Sequence, residues 1–425
     1  MKNPRAHDRF PALYVRDFRI FWIGQLISFS GTWMQSTAQG WLVYSLTKSP
    51  FYLGLVATAA SLPVLFFTLI GGVVADRLMK RKLLVITQTL SVLPAIALAV
   101  LIDLEIVTVW QIIVFAALLG TVNAFDVPAR QSFLIEMVEK GNLLNAIALN
   151  SASFNGARII GPFIAGITIA SIGVAACFYV NAVSFVAAII ALLMIRTESD
   201  AGKGLHPGKE PSRGGGSRLS GLTQDLYEGL SFVKGERSVF RILLLVAMFS
   251  LLGIPHITLL PVFAEDILNV GPRGLGVLAG ASGVGALTAA LFIAFKGEIE
   301  KKGRLMSVAG LIFGAALLFF SMSSNYLASA ITLVFAGWGM VSFLAVANSF
   351  IQLRTPDMLR GRVMSIYAFV FLGIFPIGNV LMGSLAHVVG TGRAVSIGAS
   401  LCLLAILLSS KRLRSMDERE RTQAP

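Results

Sequence analysis

The sequence predicts an all-α membrane protein whose 12 transmembrane helices form two pseudo-symmetric six-helix bundles. Three observations carry this prediction: an unusually apolar composition, a series of apolar runs of bilayer length, and a one-sided distribution of basic residues between them. Of the 425 residues, 56% are hydrophobic and only 13% are charged. Soluble domains sit nearer half apolar and a quarter charged. The 41 glycines fit the same class, because small residues let membrane helices approach closely.

A helix needs about 20 mostly apolar residues to cross the hydrocarbon core. Runs at 20–44, 51–74, 83–102, 107–127, 145–171, 174–195, 240–263, 274–295, 304–323, 326–350, 364–388 and 394–410 meet that standard. The first follows a polar, basic stretch and is too long for a signal-peptide core, so it is expected to be retained. Lone prolines such as Pro63, Pro162 and Pro376 fall inside these runs, where neighbouring helices satisfy the freed carbonyls. Of the 35 Lys and Arg, 31 fall on one side of this map and only Lys48, Arg273 and Arg393 on the other, with Arg158 inside a run. This asymmetry predicts a multi-pass protein with both termini in the cytoplasm; the expected location is the cell inner membrane. It also explains the net charge of +13 without a nucleic-acid partner.

The long polar stretch 196–237 is expected to be a cytoplasmic linker. Its first half is rich in Gly, Ser and Pro; its second half, with Leu222, Leu226, Leu230 and Val233, has the spacing of an amphipathic helix. The expected units are therefore a bundle over 1–195, the linker, a second bundle over 238–410 and a cytoplasmic tail over 411–425. Cys177 and Cys402 lie in apolar runs and read as small hydrophobes, not as a disulfide or metal site.

The halves resemble each other. A shift of 217 residues lays Gln131-Ser132-Phe133 on Asn348-Ser349-Phe350, and Gly156, Gly161 and Gly166 on Gly373, Gly378 and Gly383. A shift of 222 lays Leu53-Gly54 on Leu275-Gly276 and Asp76 on Glu298. Duplicated halves around a site at the midplane are a transporter architecture.

After the second run comes GGVVADRLMKRK. Its pattern Gly72-x3-Asp76-Arg77-x3-Arg81-Lys82 resembles the loop 2–3 signature of the major facilitator superfamily, although Met79 stands where that signature has glycine. The resemblance implies a conformational latch made of Gly72, Asp76, Arg77, Arg81 and the span-4 acidic residue, here Asp126. Gly156-x4-Gly161-Pro162-x3-Gly166 resembles the span-5 antiporter motif of the superfamily's exporters, a smooth face that seals one side of the cavity. The segments GTWMQSTAQGWLVYSLTKSP and NAFDVPARQSFLIEMV are similar to the branch containing the enterobactin-exporter and macrolide-efflux-type proteins. Unlike drug exporters with an arginine inside span 4, the run from Trp110 to Phe125 has none.

Two features read as a substrate cavity. The first run carries Gln25, Ser28, Thr32, Gln35, Ser36 and Gln39 on one helical face. Such a face looks either to a water-filled cavity or to hydrogen bonds with other helices. In the fifth run, Asn155 and Arg158 share a face. Arg158 lies about 20 Å along the helix at 1.5 Å per residue, a depth at which a charge costs at least ~2.5–3.5 kcal/mol. It binds an anionic group of the substrate, acts as a gate, or is held structurally by hydrogen bonds. Trp338 and Asn379 add polar or amphipathic groups from the tenth and eleventh runs.

No carboxylate lies near the centre of a proposed span, so the proton carrier is left between Asp126 and His256. No catalytic residue, metal site or cofactor is expected. The expectation is a monomeric secondary active transporter, not an enzyme, exporting a small amphipathic drug- or siderophore-like molecule by alternating access with H+ as coupling ion. A lipid or lysophospholipid flippase, or a non-transporting sensor, is the alternative. Asp76→Asn is expected to cut transport while leaving expression intact, as read by substrate flux against membrane-fraction immunoblots; unchanged flux removes the latch assignment.

Overall fold

The computed structural model describes residues 11–195, 228–297 and 299–423. Among them every regular element is helical. The long helices are α1 (Arg16–Thr47), α2 (Pro50–Arg77), α3 (Lys80–Asp103), α4 (Val109–Glu136), α5 (Leu143–Ser171) and α6 (Val174–Met194). After the linker come α7 (Arg237–Ile267), α8 (Gly271–Lys296), α9 (Lys302–Met322), α10 (Tyr326–Arg354), α11 (Asp357–Val389) and α12 (Thr391–Gln423). Ten of these are long and apolar enough to cross a membrane, which makes this a multi-pass membrane protein. The two that fall short, α1 and α5, are those that carry the polar stripe and Arg158.

Several ends differ from the apolar runs. α4 continues to Glu136, so Arg130 is a helical residue rather than a loop residue. α12 continues through what the sequence reads as a tail: Asp417 is buried and accepts from the backbone N–H groups of Gly303 (2.7 Å) and Arg304 (2.9 Å). It thereby satisfies orphan donors at the start of α9. π turns widen α7 at Phe249–Gly253 and Phe263–Ile267 and α11 at Phe369–Gly373. Residues 228–235 of the linker are helical, with Val233 buried and Leu230 exposed; Leu222, Leu226 and Glu298 lie outside the described residues.

The packing repeats between the halves. α2 lies against α4 and α3 against α6 in the first; α8 lies against α10 and α9 against α12 in the second. Two crossings join them, α5 on α8 and α2 on α11. Both depend on glycine pairs that the internal repeat had aligned. A Cβ at Gly166 would stand 2.6 Å from the carbonyl oxygen of Pro272 and 3.1 Å from Gly276 Cα. At the other crossing, a Cβ at Gly383 would stand 2.8 Å from the carbonyl oxygen of Pro50 and 3.2 Å from Gly54 Cα. Backbone-to-backbone contact this close maximises dispersion where lipid supplies no hydrophobic drive.

The three glycines of α5 therefore do not share one sealing face. Gly166 packs on α8, while Gly161 packs on α1 at Ser30, Trp33 and Met34. Gly156 has nothing within 4 Å of where its Cβ would lie. Overpacking costs ~1–3 kcal/mol, so Gly166→Val is expected to destabilise the purified protein by about that much, whereas Gly156→Ala stays within about 1 kcal/mol. Unfolding in denaturant, followed by tryptophan fluorescence, distinguishes the two; equal losses remove the distinction.

Candidate functional site

The polar stripe of α1 divides when its neighbours are in place. Gln25, Ser28 and Gln35 are buried against other helices. Ser28 Oγ donates to Gln88 Oε1 on α3 (3.3 Å), and Gln35 Oε1 accepts from Asn181 Nδ2 on α6 (2.6 Å). All three, expected in the cavity, are instead buried among helices. Ser28 and Gln35 are satisfied by a neighbour, as neutral polar side chains in lipid are, while Gln25 Oε1 has no hydrogen-bond partner among the described residues. Thr32 and Ser36 are exposed and Gln39 is half-buried. They lie beside Trp33, where α1 turns from its partners toward open space.

That open wall is built by α1 and α5. Arg158 lies over the Trp33 ring at 5.6 Å to the centroid. Trp33 meets Phe154 edge-on at 5.8 Å, and Phe154 meets Phe29 edge-on at 5.5 Å. Phe29 in turn lies under the Arg130 guanidinium at 4.8 Å. A continuous ladder results, three aromatic rings bracketed by two arginines. Its rungs lie on α1 and α5 because Phe29 and Trp33 are one turn apart, as are Phe154 and Arg158. Arg158 has no ion pair among the described residues and lies against a ring face instead. Such a cation retains its donors for a ligand.

Arg130 ends the ladder in a different manner. It forms an (i, i+4) ion pair with Asp126, with Nε donating at 2.9 Å and Nη2 also donating. Asp126, 3% exposed, also accepts from Thr87 Oγ1 (2.7 Å) and Gln88 Nε2 (2.9 Å) of α3. Arg130 Nη1 is buried without a partner. A buried carboxylate held by a guanidinium, a hydroxyl and an amide thus lies inside a membrane helix, with Gln88 linking it to Ser28 of α1.

The expected latch is not assembled around Asp126 in this conformation. Asp76 and Arg77 are exposed. Arg81 donates to the carbonyl oxygens of Leu192 (2.8 Å) and Leu193 (2.9 Å), closing the end of α6. Gly72 is half-buried with open space around it. Across the site, Asn379 is buried at the α2–α11 crossing; its Oδ1 accepts from Thr258 Oγ1 (2.9 Å) while its Nδ2 is unpartnered. Trp338 packs against Phe292 at 5.9 Å. Asn155 donates to the carbonyl oxygen of Ser151 at 2.9 Å. His256 donates from Nδ1 to the Gly253 carbonyl oxygen (2.7 Å), leaving Nε2 a buried acceptor with no donor.

At the end away from the linker the halves are tied together. Tyr44 donates to Asp266, Lys48 pairs with Glu265 at 3.2 Å, and Ser49 Oγ lies 3.3 Å from His387 Nδ1. Deeper, Thr58 Oγ1 donates to the Pro376 carbonyl oxygen at 2.7 Å. At the linker end, Leu69, Leu144, Phe295 and Met358, one from each crossing helix, are all at least 80% exposed.

This architecture has a match in sequence. The model of the transmembrane secretion effector family, within the major facilitator superfamily, covers residues 9–424. The chain belongs to this family. As a major facilitator protein it is a transporter and not an enzyme. It is 25% identical to the staphyloferrin A transporter of Staphylococcus aureus over 383 residues, covering 89% of this chain and 92% of that one. It is 28% identical to the multidrug efflux pump Tap of Mycolicibacterium fortuitum over 402 residues, 91% and 94% of the two chains. In fold it is similar to the crystal structure of the nucleoside transporter NupG, with TM-score 0.71 at 12% identity, covering 94% of this chain and 99% of that one.

The family resemblance located Asp126 but not its partner. The sequence signal for Arg130 was the (i, i+4) spacing Asp126-x3-Arg130, which matters once α4 runs past both. Removing one member of a buried pair costs ~3–5 kcal/mol. Asp126→Ala is therefore expected to destabilise the protein by about that amount, and Asp126→Ala/Arg130→Ala by clearly less than the sum of the single changes. A double-mutant cycle on chemical unfolding measures the coupling; additive losses dismiss the pair.

Proposed function

We propose that this transporter exports small amphipathic molecules that carry an aromatic or apolar body and an acidic group, in exchange for protons. The observation that carries the reading is Arg158: a guanidinium deep in the membrane-spanning region whose contact is the Trp33 face rather than a carboxylate. Its uncompensated charge favours a carboxylate or similar anion. The rings of Trp33, Phe154 and Phe29 offer apolar surface beside it. Thr32, Ser36, Gln39 and Asn155 supply neutral hydrogen-bonding groups on the same helices, and Trp338 and Asn379 are the contributions proposed from the second half. Relatives named for siderophore transport and multidrug efflux support the export direction.

In this reading the chain has 12 spans in two six-helix bundles, with both termini and the linker in the cytoplasm of a bacterial-type inner membrane. The ties from Tyr44, Lys48 and Ser49 to the second half then close the outer side, and the splayed ends of α2, α5, α8 and α11 open the substrate path inward. Asp126 is the proton carrier we propose. Protonation removes its charge from Arg130, and the released guanidinium is one helical stretch from Asp76 and the latch loop. The latch forms when the halves rock to the outward-open state, so its absence here belongs to the inward-open one.

The purified protein in proteoliposomes under an imposed pH gradient is expected to move a carboxylated aromatic dye, and no movement of any amphipathic anion or cation overturns the exporter reading. Hydrogen bonds to charged groups contribute ~1.5–3 kcal/mol, so Arg158→Ala should weaken binding of carboxylated substrates about tenfold or more while cationic analogues change little. Equal loss for both classes assigns Arg158 to gating instead. Asp126→Asn should uncouple flux from the gradient; gradient-driven flux at the normal rate excludes Asp126 as carrier.

A further inference from the structure

The second half contains a cavity unrelated to the α1–α5 wall. It has a volume of about 440 Å³ and lies where the linker-side ends of α7, α10 and α12 meet. Arg237, Arg241, Arg354 and Arg412 line it, opposed among the described residues by one carboxylate, Glu236. Glu236 stands 4.0 Å from Arg354 Nε, so even a full pairing leaves three guanidinium groups around the space. Ser238 adds a hydroxyl, while that of Ser415 donates to the Arg412 carbonyl oxygen at 2.8 Å.

The backbone contributes in the same sense. α7 begins in this cavity, and its cap residue Glu236 makes no side-chain cap hydrogen bond. The first N–H groups of the helix, on residues that line the space, are therefore left without a side-chain cap. Gly235 borders it, and nothing lies within 4 Å of the place a Cβ would occupy there. Guanidinium forks and an uncapped helix N-terminus both select oxyanions, and phosphate above all.

The geometry points to a binding site for a phosphate group in this pocket, supplied by the headgroup of an anionic glycerophospholipid. Free phosphate shares the chemistry, but two features favour the lipid. The pocket opens at the level where α7, α10 and α12 leave the apolar zone, which is where headgroups reside. Directly along the same helices, α7 exposes Phe240 and Leu244, and α12 exposes Leu408 and Leu404. An apolar strip thus rises from the basic pocket on both sides, as acyl chains require. Basic pockets between membrane helices on the cytoplasmic side hold lipid phosphates in this manner.

The test uses the full-length protein in neutral detergent, with dioleoyl phosphatidylglycerol or inorganic phosphate as probes. Native mass spectrometry counts retained phosphatidylglycerol, and thermal unfolding reads the stabilisation by each probe. The wild type is expected to retain at least one phosphatidylglycerol and to melt higher in its presence. Arg241→Gln and Arg412→Gln should each weaken this binding about tenfold, while Arg393→Gln, exposed in the first turn of α12 at its opposite end, should not. Arg412 is exposed, so Arg412→Gln keeps the test valid if Arg241→Gln unfolds the protein without ligand. Stabilisation by inorganic phosphate alone, lost in the same two variants, keeps the phosphate site and rejects the lipid as its source. Equal binding of both probes by wild type, Arg412→Gln and Arg393→Gln overturns the site.

Discussion

The two halves meet wherever glycine lets backbone touch backbone. At α5 on α8 and at α2 on α11, the contact is between a glycine and the main chain of its partner, with Gly166 on Gly276 and Gly383 on Gly54. No side chain stands between these helices at those points, so each crossing is a fulcrum with almost no volume. The rest of the architecture follows from that. Polar ties gather at one end of the fulcrum, in Tyr44–Asp266 and Lys48–Glu265, and the other end is free to splay. Hydrocarbon supplies no force to push apolar helices together, so close van der Waals contact at the crossings and polar ties at the closed end hold the halves together.

Charge in the membrane is treated in two opposite ways within one half. Asp126 and Arg130 neutralise each other within a single helix and borrow Thr87 and Gln88 to complete the carboxylate's shell. Arg158 has a ring face instead. Both arginines touch the same aromatic ladder from opposite ends, so the satisfied and the unsatisfied charge lie on one continuous wall. The ladder gives Arg158 and the buried ion pair a common physical boundary, formed mainly by Phe29, Phe154 and Trp33.

Much of this was legible in the sequence because the membrane makes strict demands. Span length, the sidedness of Lys and Arg, and the repeated glycines each follow from hydrocarbon thickness, membrane potential and close packing. The repeat offsets even aligned the glycines that form equivalent crossings. Other features were hidden for physical reasons. Apolarity stops near Asp126, but the helix does not, since a buried pair lets α4 carry charge for two more turns; Arg130 therefore read as a loop residue. Periodicity put Gln25, Ser28 and Gln35 on the face of Thr32 and Ser36, yet it does not distinguish a neighbouring amide from water. Phe29 and Phe154 were lost among 29 phenylalanines, and the ties at the closed end join residues more than 200 positions apart.

The widened turns of α7 and α11 bear on how such a protein stores motion. A π turn contains one residue more than its α counterpart, and one residue is worth about 100° of rotation around the axis. The stretches above and below Phe369–Gly373 are thus out of phase by roughly that angle, whereas in α7 a 3-10 turn at Ile254–Ile257 follows directly on Phe249–Gly253 and winds the helix in the opposite sense. Winding either turn back to regular α geometry would rotate one end of the helix against the other without lengthening the chain. Among the described residues π turns occur in the second half alone, at these two places and again at Phe263–Ile267 of α7, so two lobes that look alike by repeat differ in how their helices are wound.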